Sequence, residues 1–243
     1  MQEEERTMLL SIPLINPSLM ENVGVTLTTN DISFLTSLGS IRKYPKDTVL
    51  LEQGSQIDKL MFLLSGSARY VATGVDGSKR TYVQISAGCF LGEEPFFHRK
   101  PIVFQLKLIQ DSDVLFIDAN RIRELLANER ICLFIIHLLA FKARMFALQV
   151  EDSAFRTPLQ IVCKVLYCLS NEAYSTTKIH FTHQEIAELT GLHRVTVSSM
   201  LATLKKQGII HTDTKGTIVK LNREQLATIA CIGSEAQITE RKI

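Results

Sequence analysis

Between residues 41 and 118 apolar and polar positions form short runs, broken by glycines at 54, 66, 74, 77, 88 and 92. The runs at 59–64, 68–73, 81–85, 101–109 and 114–117 read as β-strands. Val75-Asp76-Gly77-Ser78 lies between the second and third of them. Asp-Gly tolerates the positive φ of a two-residue turn, so this is a hairpin signal. Short strands punctuated this regularly predict a β-roll or jelly-roll barrel.

The period then changes. Over 119–153 the pattern is helical. Ile131, Phe134, Leu138, Phe141, Met145 and Leu148 recur at alternating steps of three and four, which is a heptad seam. Ile135, Ile136, Leu139 and Phe146 add a second apolar strip. A helix apolar on two sides predicts that one strip covers its own domain and that the seam meets a partner helix on a dimer axis. The alternative is a helix buried in a single core.

Residues 156–243 read as a mainly helical unit. Thr157-Pro158 opens a helix through 169, because proline suits the first helical turn. Thr182-His183-Gln184-Glu185 fits a capping box, with Ile186, Ala187 and Leu189 as the apolar face that follows. Thr190-Gly191-Leu192 makes a tight turn, and a second helix runs over 193–207. Val197, Leu201 and Leu204 form its inner face, with Val195 and Met200 at the margins. Segments 209–213 and 217–221 flank Thr214-Lys215-Gly216, a hairpin or wing with Lys215 at its tip. Two helices joined by a glycine turn form a helix-turn-helix, whose second helix inserts its N-terminal residues into the DNA major groove. His193, Arg194, Thr196, Ser198 and Ser199 supply base- and phosphate-directed groups, and Arg194 is suited to a bidentate bond with guanine. Thr182, His183 and Gln184 open the first helix, where backbone N–H groups hold phosphate. Lys205 and Lys215 add positive charge.

Charge supports this division. The 243-residue chain has a formal net charge of +2, too small to specify a partner. Residues 156–243 hold eleven Lys/Arg against seven Asp/Glu, whereas 1–155 hold sixteen against eighteen. The positive excess therefore lies beside the helix-turn-helix. Apolar residues make up 46% and charged residues 21%, a composition able to build a core. The longest apolar run, 131–141, contains His137 and falls short of the ~18–20 residues of a membrane span. The acidic start has no secretory pattern. Five scattered cysteines, with no C-x-x-C, support neither a disulfide framework nor a metal cluster and suit a reducing cytoplasm. Phosphate-loop, nucleophile-elbow and zinc-hydrolase motifs are absent, which argues against an enzyme.

The stretch Gln184-Glu185-Ile186-Ala187-Glu188-Leu189-Thr190-Gly191-Leu192-His193-Arg194-Val195-Thr196-Val197-Ser198 resembles the Crp/Fnr family of bacterial transcription regulators. The glycine-punctuated strands, then Gly92-Glu93-Glu94, then the long helix match that family in order. The resemblance implies an α+β chain in three parts. These are a cyclic-nucleotide-binding-like β-roll at 1–118, a dimerisation helix at 119–155 and a winged helix-turn-helix at 156–243. It also implies a homodimer on a DNA palindrome, an effector in the roll, contact with RNA polymerase and an activating role.

Departures from the family pattern bear on the effector. Cyclic-AMP receptors pair a Gly-Glu with an Arg-Ser about eleven residues on; here Gly92-Glu93 is present but Ile102 and Val103 stand at the Arg-Ser places. Losing such a charge-assisted bond costs about 1.5–3 kcal/mol. Cyclic-nucleotide control is therefore not expected. No cysteine precedes Cys89, against the oxygen-sensing branch, and Cys89 and His98 lack a haem motif. An apolar or aromatic effector remains as the expectation, lined by Tyr82, Phe90, Gly92, Glu93, Phe96, Phe97, Phe104 and Met145; the alternative is that these phenylalanines are barrel core. Tyr70, Tyr82 or Lys100 would answer an anion. The nearest local likeness is to halophenol-sensing members of the family. The alternatives are a cyclic-nucleotide- or haem-dependent regulator of the same fold, or a ligand-binding module acting on a protein partner. Many members also carry a Glu at the place of Val195 and an Arg at that of Ser199, so the half-site is expected to differ from the common ones.

Overall fold

The computed structural model describes residues 14–15, 26–170, 182–213 and 218–232. Its contacts divide into two units, one over Pro13–Arg144 and another containing Met145–Ile243.

The first unit is a two-sheet roll. After β1 (Leu14–Ile15) comes α1 (Thr29–Ser37), started by a capping box between Thr28 and Asp31. Then follow β2 (Gly39–Tyr44), β3 (Val49–Leu51), β4 (Lys59–Leu63), β5 (Ser67–Thr73), β6 (Lys79–Ser86) and β7 (Cys89–Leu91). A short helix α2 (Glu93–His98), β8 (Gln105–Leu108) and β9 (Ser112–Asp118) complete it. One sheet has the order β1-β6-β5-β8-β3 and the other β2-β9-β4-β7. The Asp-Gly hairpin joins β5 to β6 as expected: the Gly74 N–H donates to the Ser78 carbonyl at 2.8 Å, and Asp76 accepts from the Ser78 N–H at 3.0 Å. Period-2 patterning puts Thr81, Val83 and Ile85 inward on β6. Leu60, Phe62, Phe90, Leu106, Leu115 and Ile117 are fully buried in this unit. The run at 101–109 yields a strand only from Gln105; residues before it form a loop held to Ser55 and Gly54.

The predicted helix over 119–153 is not continuous. A 3₁₀ turn (Ala119–Arg121) and α3 (Ile122–Ala127) end at Asn128, which then caps α4 (Glu129–Phe155) by accepting from the Ile131 N–H at 3.2 Å. α4 is long and apolar enough to cross a membrane by length and composition, unlike the shorter run considered from sequence. Its inward face and buried ion-paired Lys142 mark it as a core helix.

The heptad seam is turned inward. Ile131, Phe134 and Leu138 are buried within the roll's own unit, with the Phe134 ring 6.2 Å from that of Phe90. Met145 is buried too, and Phe141 and Leu148 are half-buried. Ile131, Phe134, Leu138 and Met145 are therefore not on the outward face of α4. The exposed row is Leu133, Ile136, Ala140, Ala143, Ala147 and Val150, which repeats the same three-four spacing two residues on, on the opposite side of the helix.

The second unit packs α5 (Pro158–Leu169), α6 (His183–Thr190), α7 (Arg194–Lys206) and α8 (Arg223–Ile229) with a hairpin of β10 (Ile210–Thr212) and β11 (Ile218–Leu221). Val162, Leu166, Ile186, Val197, Leu201, Leu204 and Leu226 form its core. Asp152, on the last turns of α4, accepts from Lys164 at 2.7 Å and Arg156 at 2.8 Å, which fixes the entry to α5.

Candidate functional site

Within the roll, α2 is built around a buried charge. Gly92 enters it at φ +71°, a conformation that L side chains rarely adopt. A Cβ there would also lie 2.9 Å from Ile57 Cδ1. The turn sends Glu93 inward, and its carboxylate is fully buried. It is ion-paired with Lys142 of α4, itself 8% exposed. Lys142 also donates to the Phe90 carbonyl at 3.3 Å and lies 5.3 Å over the Tyr70 ring. Burial alone would push the Lys142 pKa down; the facing Glu93 outweighs it, so the ammonium is held above its usual range. The Gly92 N–H donates to the Tyr70 hydroxyl at 2.8 Å. Burial pushes both the Tyr70 phenol and the Cys89 thiol up to about 12. Among the described residues, Glu93 Oε2 and Thr81 Oγ1 are buried and have no hydrogen-bond partner.

An aromatic group stands beside this pair. The Phe104 ring is 6.3 Å from Tyr70 and 4.7 Å from Tyr82, and Arg80 lies 5.1 Å over Tyr82. The structure therefore brings together Tyr70, Phe90, Gly92, Glu93 and, through Tyr70, Tyr82 and Phe104. It does not add Phe96, Phe97 and Lys100 to them. Those side chains line a half-open cleft of about 410 Å³ with Gln56, Ile57, Asp58, Pro95 and Arg99. α2 is only six residues long, and Phe97 and Lys100 at its far end emerge on the surface. Met145 belongs to the other contact unit. At the place of the family's Arg-Ser pair, Ile102 is 2% exposed and Val103 points outward, 57% exposed. Cys89 is buried and protonated, whereas His98 is exposed at 3.6 Å from Glu94. Among the described residues, no cluster of His, Cys, Asp or Glu is placed to hold a metal ion.

Sequence reasoning missed Lys142. The signal was present: Lys142 follows Leu138 by four residues, on the apolar stripe of the helix, and a cation there requires a buried anion.

In the second unit the helix-turn-helix forms as the sequence predicts. Thr182 caps α6, accepting from the Glu185 N–H at 3.2 Å, while Glu185 accepts from the Thr182 N–H at 2.8 Å. Gly191 takes φ +69° and ends the helix. α7 buries Val197, Leu201 and Leu204. His193 and Arg194 are exposed at its start, Ser199 is exposed one turn on, and Thr196 and Ser198 are half-buried. His183 Nδ1 lies 2.8 Å from Ser198 Oγ and ties the two helices together. Gln184 is exposed and bonds Glu188 at 3.3 Å. Lys205 donates to Thr212 Oγ1 at 2.8 Å, which steadies the hairpin. Lys215 lies outside the described residues. Val195 departs from its expected marginal place on the inner face: it is 81% exposed on the outer one.

Comparison with known proteins agrees with both regions. Residues 41–129 match the cyclic nucleotide-binding domain, and residues 160–229 match the Crp-like helix-turn-helix domain. The cAMP-activated global transcriptional regulator CRP of Haemophilus influenzae is 25% identical over 186 residues, covering 74% of this chain and 83% of that protein. Two solved structures share the fold. The c-di-GMP responsive global regulator CLP of Xanthomonas campestris has a TM-score of 0.67 at 20% identity, covering 80% of this chain and 100% of that one. OCPA-complexed CprK has a TM-score of 0.63 at 21% identity, covering 82% and 92%. Three relatives with three different ligands in their descriptions leave the effector of this chain open. With both domains in this order, the chain is a Crp/Fnr-type DNA-binding transcription regulator with an effector-binding domain.

Proposed function

We propose that two copies of this chain bind a DNA palindrome, under the control of a small aromatic or apolar effector held in the roll. The carrying observation is the pair α6 and α7, which leaves Arg194 and Ser199 in solvent at the start of the second helix. In this reading Arg194 bonds guanine; His193, Thr196, Ser198 and Ser199 approach bases or phosphates. Thr182, His183 and Gln184 hold phosphate at the N-terminus of α6, with Lys205 and Lys215 on the flanks. The exposed row of α4, with three alanines that permit close approach, is the dimer face. RNA polymerase is the further partner, with activation as the outcome, in the cytoplasm.

The aromatic group of Tyr70, Tyr82 and Phe104 supports an aromatic effector. The apolar pair Ile102 and Val103, and a Glu93 already committed to Lys142, weigh against a cyclic phosphate. The test is calorimetric titration and thermal melting with chlorinated phenols, using cyclic AMP as the comparison. Heat and a raised melting temperature with the phenols alone are expected. No response to any phenol, or a response to cyclic AMP instead, overturns the effector assignment.

A further inference from the structure

We infer that Val195 reads the C5 methyl group of a thymine in each half-site of the DNA. The inference rests on the reading of α7 as the helix that enters the major groove. At about 100° per residue, Val197, Leu201 and Leu204 lie roughly 180–240° around the helix from Val195. The buried row is thus on one side and Val195 is at the middle of the other. Its neighbours on that outer face are Ser199 and Ala202, both exposed and both small. Arg194 lies a quarter-turn or so to the flank. The central protrusion of the groove-facing surface is therefore apolar and 81% exposed.

Among the described residues, Val195 takes no part in the buried packing. The side chain is in the first turn of α7, where an acidic residue would favour the helix dipole and valine lowers helix propensity. Its chemistry does suit one feature of the major groove. Thymine alone among the four bases presents a methyl group there, and apolar side chains contact it. A cytosine at the same place would present its N4 amino group to the valine and lose a hydrogen-bond partner. A β-branched side chain in a helix has one strongly preferred χ1 rotamer, so Val195 is already ordered before it meets DNA. The small side chains of Ser199 and Ala202 let the helix approach closely enough for that contact.

The experiment uses the full-length protein and the palindrome recovered by selection from random duplexes. Each symmetric pair of thymines is replaced in turn by deoxyuridine, which removes only the methyl groups. One pair is expected to weaken binding by about fourfold for each methyl lost, and 5-methylcytosine at that pair to bind more tightly than cytosine. In V195A that deoxyuridine effect shrinks to less than about twofold. Alanine at this exposed helical position raises helix propensity, so the variant folds. If the palindrome binds but no thymine pair responds, or V195A responds as strongly as the original, Val195 does not read a methyl. If no duplex binds at all, the DNA-binding reading itself fails, and the inference fails with it.

Discussion

Glu93 and Arg194 are both charged side chains on the first residue of a helix, and the fold treats them oppositely. Glu93 is fully buried and bound to Lys142; Arg194 is exposed at the start of α7. A buried charge has to be answered inside the protein, because its desolvation exceeds what any surface contact returns. An exposed charge keeps its hydration until a partner arrives. The roll thus holds its chemistry as part of its stability, and the helix-turn-helix leaves its chemistry uncommitted. Substitutions in the first region should appear as lost stability, and in the second as lost binding.

The largest expected effect follows from removing the cation of the roll. Lys142→Met leaves the Glu93 carboxylate buried without its partner and should cost about 3–5 kcal/mol in urea denaturation. Adding Glu93→Gln should recover most of that loss. The sign with pH is set by the raised Lys142 pKa. The contribution of the lysine's own titration is fully present below its usual value of 10.5, and is lost as pH rises through the higher folded value. A Lys142→Met variant as stable as the original would erase the contrast between the two regions.

Arg194→Ala tests the other side. It should cost about 1–3 kcal/mol in DNA binding and relax one position of the half-site. Its urea midpoint should change by less than about 0.5 kcal/mol in stability. Uniform weakening over all sequences would make Arg194 a phosphate contact instead of a base reader.

The sharpest parts of this comparison were unevenly legible in the sequence. Thr182, Glu185, Gly191 and the row Val197, Leu201, Leu204 are signals contained within a few residues, so the helix-turn-helix could be read directly. The strands of the roll were legible for the same reason, since Asp76-Gly77 and the other glycines mark their turns. What the sequence left open depends on distant partners. Two apolar strips run along α4, and only the packing of Phe134 against Phe90 and the pairing of Lys142 with Glu93 show that the seam, with Ile135 beside it, faces inward. The break at Asn128 was a local capping signal overlooked within a helical period. The separation of Phe96 and Phe97 from Phe104 reflects where a short helix and a loop project, which spacing does not encode.

Smaller effects sharpen the same contrast. Thr182→Ala removes the cap of α6 and should cost about 1 kcal/mol in thermal denaturation of the intact chain. Asp31→Asn in the roll removes the charge of a buried carboxylate from its hydrogen bonds with Thr28 and Arg130 and should cost about 1 kcal/mol at neutral pH. Burial would raise the Asp31 pKa, but hydrogen bonds from Thr28 and the Arg130 guanidinium outweigh it and hold the carboxyl below its usual 3.8. The contribution of Asp31 is therefore present above pH 3.8 and lost as pH falls through its folded value. The melting temperatures of the two proteins should converge in acid.

Selection of duplex DNA from a random library by the full-length protein, with and without a small-molecule extract of the source cells, tests the regulator reading most directly. The expected result is a palindrome with half-sites about 34 Å apart, enriched more strongly when the extract is present. Libraries that stay random in both conditions would contradict it.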